Sequence, residues 1–318
     1  MPRLNTLASI LAAAGCLFAS GCSKDPAAPG AAPVILAWKE IASGTPETLH
    51  SVEGRSANNM FAFGNNGTIR RFNGEGWTIS PGGGACHLRD SWQAPSGNIY
   101  AAGSSGSGCI LINDGGGWDD LGGYLTDYQY RGIWGFSDDD IFLTGVPTFG
   151  TFGARIIRWD GNDWNVEQVT QAFAFFDLWG KNALNLYAVG GAGIIYKFDG
   201  ANWGQMTSPT AQSLNGVWGF DSDDVFAFGD NGTILHYDGI DWVSQTSGIL
   251  INFFAGWGPS PDNVFAVGEG GAVLHYNGSE WSEMESSTDS DLRAVYGSSG
   301  QNVFAVGDAG QIIRYSPE

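Results

Sequence analysis

A unit of about 39 residues recurs seven times along this chain, and its clearest copy runs from Leu214 to Trp242 as LNGVWGFDSDDVFAFGDNGTILHYDGIDW. The units end on Trp38, Trp77, Trp118, Trp164, Trp203, Trp242 and Trp281, at spacings of 39, 41, 46, 39, 39 and 39 residues. A fixed period of this size means that one supersecondary unit is stacked on copies of itself, as in a propeller or a solenoid. Each copy divides into four short strands. In the clearest one, strand A is 214–219, strand B 225–229 and strand C 233–238, and strand D begins at Trp242. Alternating apolar and small residues between Gly and Asx punctuation are the signal for them. The B–C link, Gly229-Asp230-Asn231-Gly232, has residue types that accept φ > 0, as a two-residue primed hairpin turn requires. An Asn or Asp precedes every strand B (Asn59, Asn98, Asp140, Asn185, Asp224, Asn263 and Asn302), where a short acceptor is expected to cap the A–B turn.

The ends bear on closure. The last copy stops at Glu318, before the Trp that should open its strand D, and Trp38 opens a strand D with no A, B or C before it. Residues 37–42 are therefore expected to supply the outer strand of the last unit, closing a ring with no open blade boundary. The expected fold is all-β: a seven-bladed β-propeller of four-stranded blades spanning residues 35–318. The pattern V-W-G-x-S-x-D-D-V-F-A-V-G-x-x-G-T-I-L-H-Y-D-G-x-x-W resembles the repeats of secreted bacterial propeller proteins. It is more distantly similar to propellers of the photosystem II assembly factor type. That resemblance implies the fold and says little about function, because propellers host enzymes, lectins and scaffolds alike.

Residues 1–21 read as a secretory leader: Arg3 in the n-region, an apolar stretch from Leu7 to Phe18, then small residues before Cys22. The segment resembles a bacterial lipoprotein signal with Ala19 where Leu is usual, which implies lipidation of Cys22, and Ser23 resembles outer-membrane sorting. Multiple acyl chains on one residue give stable anchoring. Ordinary cleavage to a soluble product is the alternative. Residues 22–34, rich in Pro and Ala, read as a semi-extended tether. The expected location is extracytoplasmic, with the membrane reached by the N-terminal lipid alone. In an oxidising compartment the remaining cysteines, Cys86 and Cys109, suggest a disulfide, although one strand is expected between them.

The formal net charge of −19 argues against nucleic acid and anionic lipid surfaces as general partners. Positive charge is sparse and placed. One repeat position near the start of strand A holds His50, Arg89, Arg131, Phe176, Asn215, Phe254 and Arg293. Four consecutive blades around the ring thus bring His50, Arg89, Arg131 and Arg293 to one channel mouth, a candidate anion or carboxylate site, since Arg forks pair well with carboxylates. The alternative is that each Arg pairs with a loop carboxylate. A strand C position is basic in six copies (Arg71, Arg158, Lys197, His236, His275 and Arg314), and this regularity points to pairing with an acceptor on the adjoining blade. Strand A also carries Trp92, Trp134, Trp179, Trp218, Trp257 and Tyr296 at one position, with Glu53 there in blade one. These rings are expected to fill the wedges between blades, or alternatively to line the channel and stack on sugars. The long B–C link of blade three, 146–152, carries Phe149 and Phe152 on the same face as the arginines, where exposed aromatics suit partner contact.

Catalytic signals are weak. G-x-S-x-G and H-E-x-x-H are missing from the sequence, and the four histidines show no metal-ligand spacing. No cofactor or metal is expected. The function expected is a non-catalytic envelope lipoprotein that binds a protein partner or assists assembly. A carbohydrate-binding propeller is the first alternative. A sialidase-like glycosidase, using the arginines, Glu53 and nearby tyrosines, is the second.

Overall fold

The computed structural model describes residues 36–148, 153, 155–168 and 174–317. The leader, the tether and Cys22, and also Phe149 and Phe152, lie outside the described residues. The described chain forms seven four-stranded antiparallel sheets, each a blade running A-B-C-D outward. Strand A of each blade packs beside strand A of the next, and the seventh returns to the first. In blade seven the order ends on the N-terminal strand Leu36–Glu40, paired antiparallel with Ile312–Pro317 so that Trp38 stands opposite Tyr315. The ring closes as expected, with the outer strand at 36–40 rather than 37–42. No helix among the described residues is long and apolar enough to cross a membrane.

The unit-ending tryptophan has a specific task. It packs on the strand B aromatic of the preceding blade: Trp118 on Phe61 with ring centroids 5.4 Å apart, Trp242 on Tyr187 at 6.1 Å, Trp281 on Phe226 at 6.0 Å. The closing Trp38 does the same against Phe265 of blade six, 5.9 Å away and edge to face. Trp77 on Phe304 and Trp203 on Phe142 repeat the contact, so at six blade boundaries one aromatic ties a sheet to its neighbour, which is why the tryptophan marks the period.

The B–C turns take the expected primed form. Asn66/Gly67, Ala192/Gly193, Asn231/Gly232, Gly270/Gly271 and Ala309/Gly310 all have φ between 53° and 75°, as a two-residue type I′ turn demands. The second glycine also meets the next blade: a Cβ on Gly310 would fall 1.8 Å from the Thr45 carbonyl oxygen.

The strand C bases differ from expectation in their partner. Register puts Arg71, Arg158, Lys197, His236, His275 and Arg314 directly opposite the strand B aromatics of their own blade. Arg158 lies over Phe142 at 4.9 Å, and the His236 ring stacks on Phe226 at 4.2 Å. Five of the six then reach the Asx before strand B, again within the blade: Arg71 Nε to Asn59 at 3.1 Å, Arg158 Nε to Asp140 at 2.9 Å, Arg314 Nε to Asn302 at 2.8 Å, His236 with Asp224 at 2.7 Å and His275 with Asn263 at 2.8 Å. That Asx thus serves strand C rather than capping its own turn. The row is structural, and it covers an aromatic ring while satisfying the cation.

Candidate functional site

Strand A does not run straight into the channel. In every blade its pairing with strand B skips near the start of strand A, between Leu49 and Ser51, Leu88 and Asp90, Tyr130 and Ile133, Phe175 and Asp177, Leu214 and Gly216, Phe253 and Ala255, and Leu292 and Ala294. The skipped residues include His50, Arg89, Arg131, Phe176, Asn215, Phe254 and Arg293. Each is thrown out of the ladder by a β-bulge, a device that re-aims a side chain. All seven line a single cavity of about 430 Å³ at the mouth carrying the D–A and B–C loops. The sequence places these residues near one another. It does not announce the bulge, whose signal is a chemically variable position between an apolar residue and a small or acidic one.

The cationic arc is uneven. Arg293 is held by Asp308, Nε to Oδ1 at 3.0 Å and Nη2 to Oδ2 at 2.7 Å, and by Asp291 at 3.0 Å, and it lies 4.3 Å over the Phe254 ring. Asp308 raises its pKa in return. Arg131 lies over Phe176 at 5.2 Å. Arg89 reaches the His50 ring, with Nη1 2.8 Å from Nε2. No carboxylate pairs with Arg89 or Arg131 among the described residues. Both guanidiniums have a lowered pKa, Arg89 through desolvation and then the charges of Arg131 and Arg293, Arg131 through desolvation. His50 Nε2 also lies 2.9 Å from Asn65 Oδ1, so it donates to the amide or accepts from Arg89 but not both. Burial and then Arg89 push the imidazole down to about 4, so it is neutral at physiological pH.

One step deeper, strand A presents carboxylates. Asp90 accepts the N–H groups of Ser91 and, across the blade boundary, Ile133, both at 2.8 Å. Asp177 does the same with Leu178 and Val217. Each carboxylate joins two blades, and burial raises the pKa of both, Asp90 to about 6. With their oxygens occupied by backbone donors, these groups read as inter-blade ties.

Deeper still lies the aromatic layer. Trp92, Trp179 and Trp257 are at most 5% exposed and fill wedges, pressing on Gly135, Gly219 and Gly297 of the following blade. Trp134 and Trp218 behave differently. They meet edge to face at 6.3 Å although blade four stands between them, so they project into the channel. Wedge filling and channel lining thus both occur, divided among the same repeat position. Glu53 and Tyr296 belong to this layer, away from the arginine mouth. The arginines, Glu53 and Tyr296 therefore do not assemble into one sialidase-like site. Tyr130 is buried and Tyr124 donates to Asp120 at 3.0 Å, so those tyrosines are framework.

Cys86 and Cys109 are joined by a disulfide with Cα atoms 6.4 Å apart. Cys86 lies just before strand A and Cys109 pairs with Gly103 of strand B, so the bridge spans the intervening strand.

A scan against protein families and a search of curated proteins give no match. Solved structures do match. YCF48 bound to a D1 peptide has a TM-score of 0.67 at 17% identity over 88% of this chain and 97% of its own. YCF48 from Cyanidioschyzon merolae has a TM-score of 0.69 at 13% identity, over 88% of this chain and 99% of its own. A virginiamycin B lyase from Staphylococcus aureus reaches 0.75 at 11% identity, over 89% of this chain and 100% of its own. At such identities the likeness concerns the fold, and this fold serves both a photosystem II assembly factor and a lyase. The chain is a seven-bladed propeller distantly similar to the photosystem II assembly factor propellers.

Proposed function

We propose that this propeller is a non-catalytic protein-binding scaffold, and that Arg89 and Arg131 at the bulged mouth grip a carboxylate or acidic segment of its partner. The observation that carries this reading is two adjacent guanidiniums without a carboxylate partner among the described residues, in a protein of net charge −19 where acids are plentiful. Leaving them unpaired costs electrostatic energy, since like charges crowd there, and a ligand anion would recover it. The peptide held by the similar YCF48 structure is consistent with a peptide-binding propeller. We place the scaffold in the bacterial envelope, tethered through lipidated Cys22, on the strength of the leader. Phe149 and Phe152, which lie outside the described residues, are proposed on the sequence alone to contact the partner.

The test is cross-linking capture in cells with the tagged full chain beside Arg89→Glu/Arg131→Glu. A protein captured by the parent and lost from the variant supports the reading. Equal capture by both would remove the mouth from the reading, and capture of nothing by either would sink the scaffold. Metabolic labelling with an acyl analogue, with and without Cys22→Ala, tests the anchor separately.

A further inference from the structure

Six blades put an aromatic ring at one strand A position, and blade one puts a carboxyl there. Glu53 is 8% exposed. Its Oε1 accepts the Gly54 N–H at 2.8 Å, and the Tyr296 hydroxyl faces it. No cation pairs with it among the described residues, and the charge acting on it is the carboxylate of Asp90. Glu53 lines a cavity of about 350 Å³ at the A–B end of the channel, opposite to the arginine mouth, together with Trp92, Trp134, Trp218 and Tyr296. Trp134, Trp218 and Tyr296 are half-buried, whereas the wedge tryptophans are fully packed. Lys181 stands at the same cavity, but its Nζ is turned to the Phe220 carbonyl at 2.7 Å.

Apart from Lys181, whose ammonium is engaged by the Phe220 carbonyl, the chamber is lined by electron-rich groups. Indole and phenol faces carry negative quadrupoles and attract cations, most strongly where water is excluded. The Glu53 carboxyl among them is paired with no cation among the described residues, Lys181 being turned to the Phe220 carbonyl. We infer that the chamber is a binding site for an alkylammonium group, with Trp134, Trp218 and Tyr296 presenting ring surface and Glu53 the counter-charge. Its volume suits one lysine-type or choline-sized head. The site is separate from the arginine mouth in position and opposite in sign, so it stands whether or not the mouth binds a protein.

Binding exchanges one cation for another. Burial holds the empty Glu53 carboxyl up to about 8, so at pH 7 it keeps its proton. Arrival of the ammonium ionises it: the carboxyl O–H bond breaks, the proton leaves to buffer, and the carboxylate faces the nitrogen. Asp90, from blade two, and Tyr296, from blade seven, are the titratable groups that act on it, and Lys181 of blade four lines the same cavity. Asp90 opposes ionisation and adds to the attraction for a cation.

Isothermal titration of the full chain tests this with choline, tetramethylammonium and Nα-acetyl-lysine amide, beside neutral 3,3-dimethylbutanol and methyl glucoside. Two buffers of different ionisation enthalpy report the proton. The expected result is cation binding about tenfold or more tighter than the neutral isostere, with about one proton released at pH 7 and almost none above about pH 9. Choline and the lysine amide separate a free amine from a protein side chain as the source. Glu53→Gln should weaken cation binding about tenfold or more, while Arg89→Glu leaves it unchanged. Should Glu53→Gln fail to fold, Trp218→Leu serves instead and should weaken it likewise. Equal binding of the neutral isostere, a response to methyl glucoside alone, an undiminished Glu53→Gln, or no heat from any cation would each overturn the inference.

Discussion

Arg293 and Asp308 form a two-pronged pair, with Nε to Oδ1 at 3.0 Å and Nη2 to Oδ2 at 2.7 Å, while Arg89 and Arg131 in the same arc meet no carboxylate among the described residues. Three arginines equivalent in the repeat thus have two different occupations. Arg293 closes a bond within blade seven, and the other two face the mouth with their charge unmatched. Ligand contact and stability should therefore separate between them.

Arg293→Ala removes a charge-assisted pair that is about one-third exposed on both sides. It should cost about 1–2 kcal/mol in stability and leave partner capture largely intact. Arg89→Glu/Arg131→Glu should do the reverse, abolishing capture with a melting temperature within a few degrees of the parent. Thermal melts and capture run on the same preparations check both halves.

Glu53 predicts a pH dependence with a definite sign. Its folded pKa of about 8 lies above the ordinary value of 4.5, so the folded state holds the proton longer than the unfolded chain. Stability from this group is therefore present below about pH 4.5 and is lost as pH rises through about 8. Asp90 and Asp177, also raised, lean the same way. His50, lowered to about 4, leans the other way and loses stability as pH falls from about 6.5 to about 4. The difference between parent and Glu53→Gln isolates Glu53. The variant should be more stable by about 4 kcal/mol at pH 8, with little difference at pH 4.5. Denaturant curves at the two pH values decide it, and a pH-independent difference would contradict the argument.

Much of this architecture was legible in the sequence because a repeat states the same constraint seven times. The tryptophan period, the turn glycines and the orphan strand D at Trp38 each follow from local chemistry, and the structure shows all three. What escaped depends on register, which the period does not encode. Arg71 was expected to find its acceptor on the next blade, yet cross-strand pairing with Phe61 aims it at Asn59 in its own blade. The bulge at Arg89 was invisible for the same reason: one extra residue in strand A leaves the hydrophobic pattern readable on either side. Glu53 stood out in the sequence as an exception to the aromatic position, but its chamber arises only where Trp134 and Trp218 reach past blade four.

The Cys86–Cys109 bridge closes a loop with a sequence separation of 23. Constraining the unfolded chain over that length contributes about 3 kcal/mol. Cys86→Ser/Cys109→Ser, or full reduction, should lower the unfolding free energy by about that amount. The bridge stands beside His87 and on the mouth side of blade two, so loss of partner capture should accompany reduction only where unfolding does. Denaturant titration with and without reductant, monitored by tryptophan fluorescence, gives the number.

Two of the five primed turns place alanine where the left-handed conformation is needed, Ala192 with φ 56° and Ala309 with φ 55°, while the same place holds Asn66, Asn231 and Gly270 in blades one, five and six. An L-residue with a Cβ pays about 1–2 kcal/mol to sit there, and glycine avoids that strain while gaining some unfolded-state freedom. Ala192→Gly and Ala309→Gly should each stabilise the propeller by about 0.5–1 kcal/mol. The two turns lie in blades four and seven and share no partner, so the double variant should show the sum. The converse change, Asn231→Ala, should destabilise by a similar amount. Melting temperatures of the four variants check the set, and a lower value for either glycine variant would mean that the alanine methyl group contributes packing that outweighs its strained backbone.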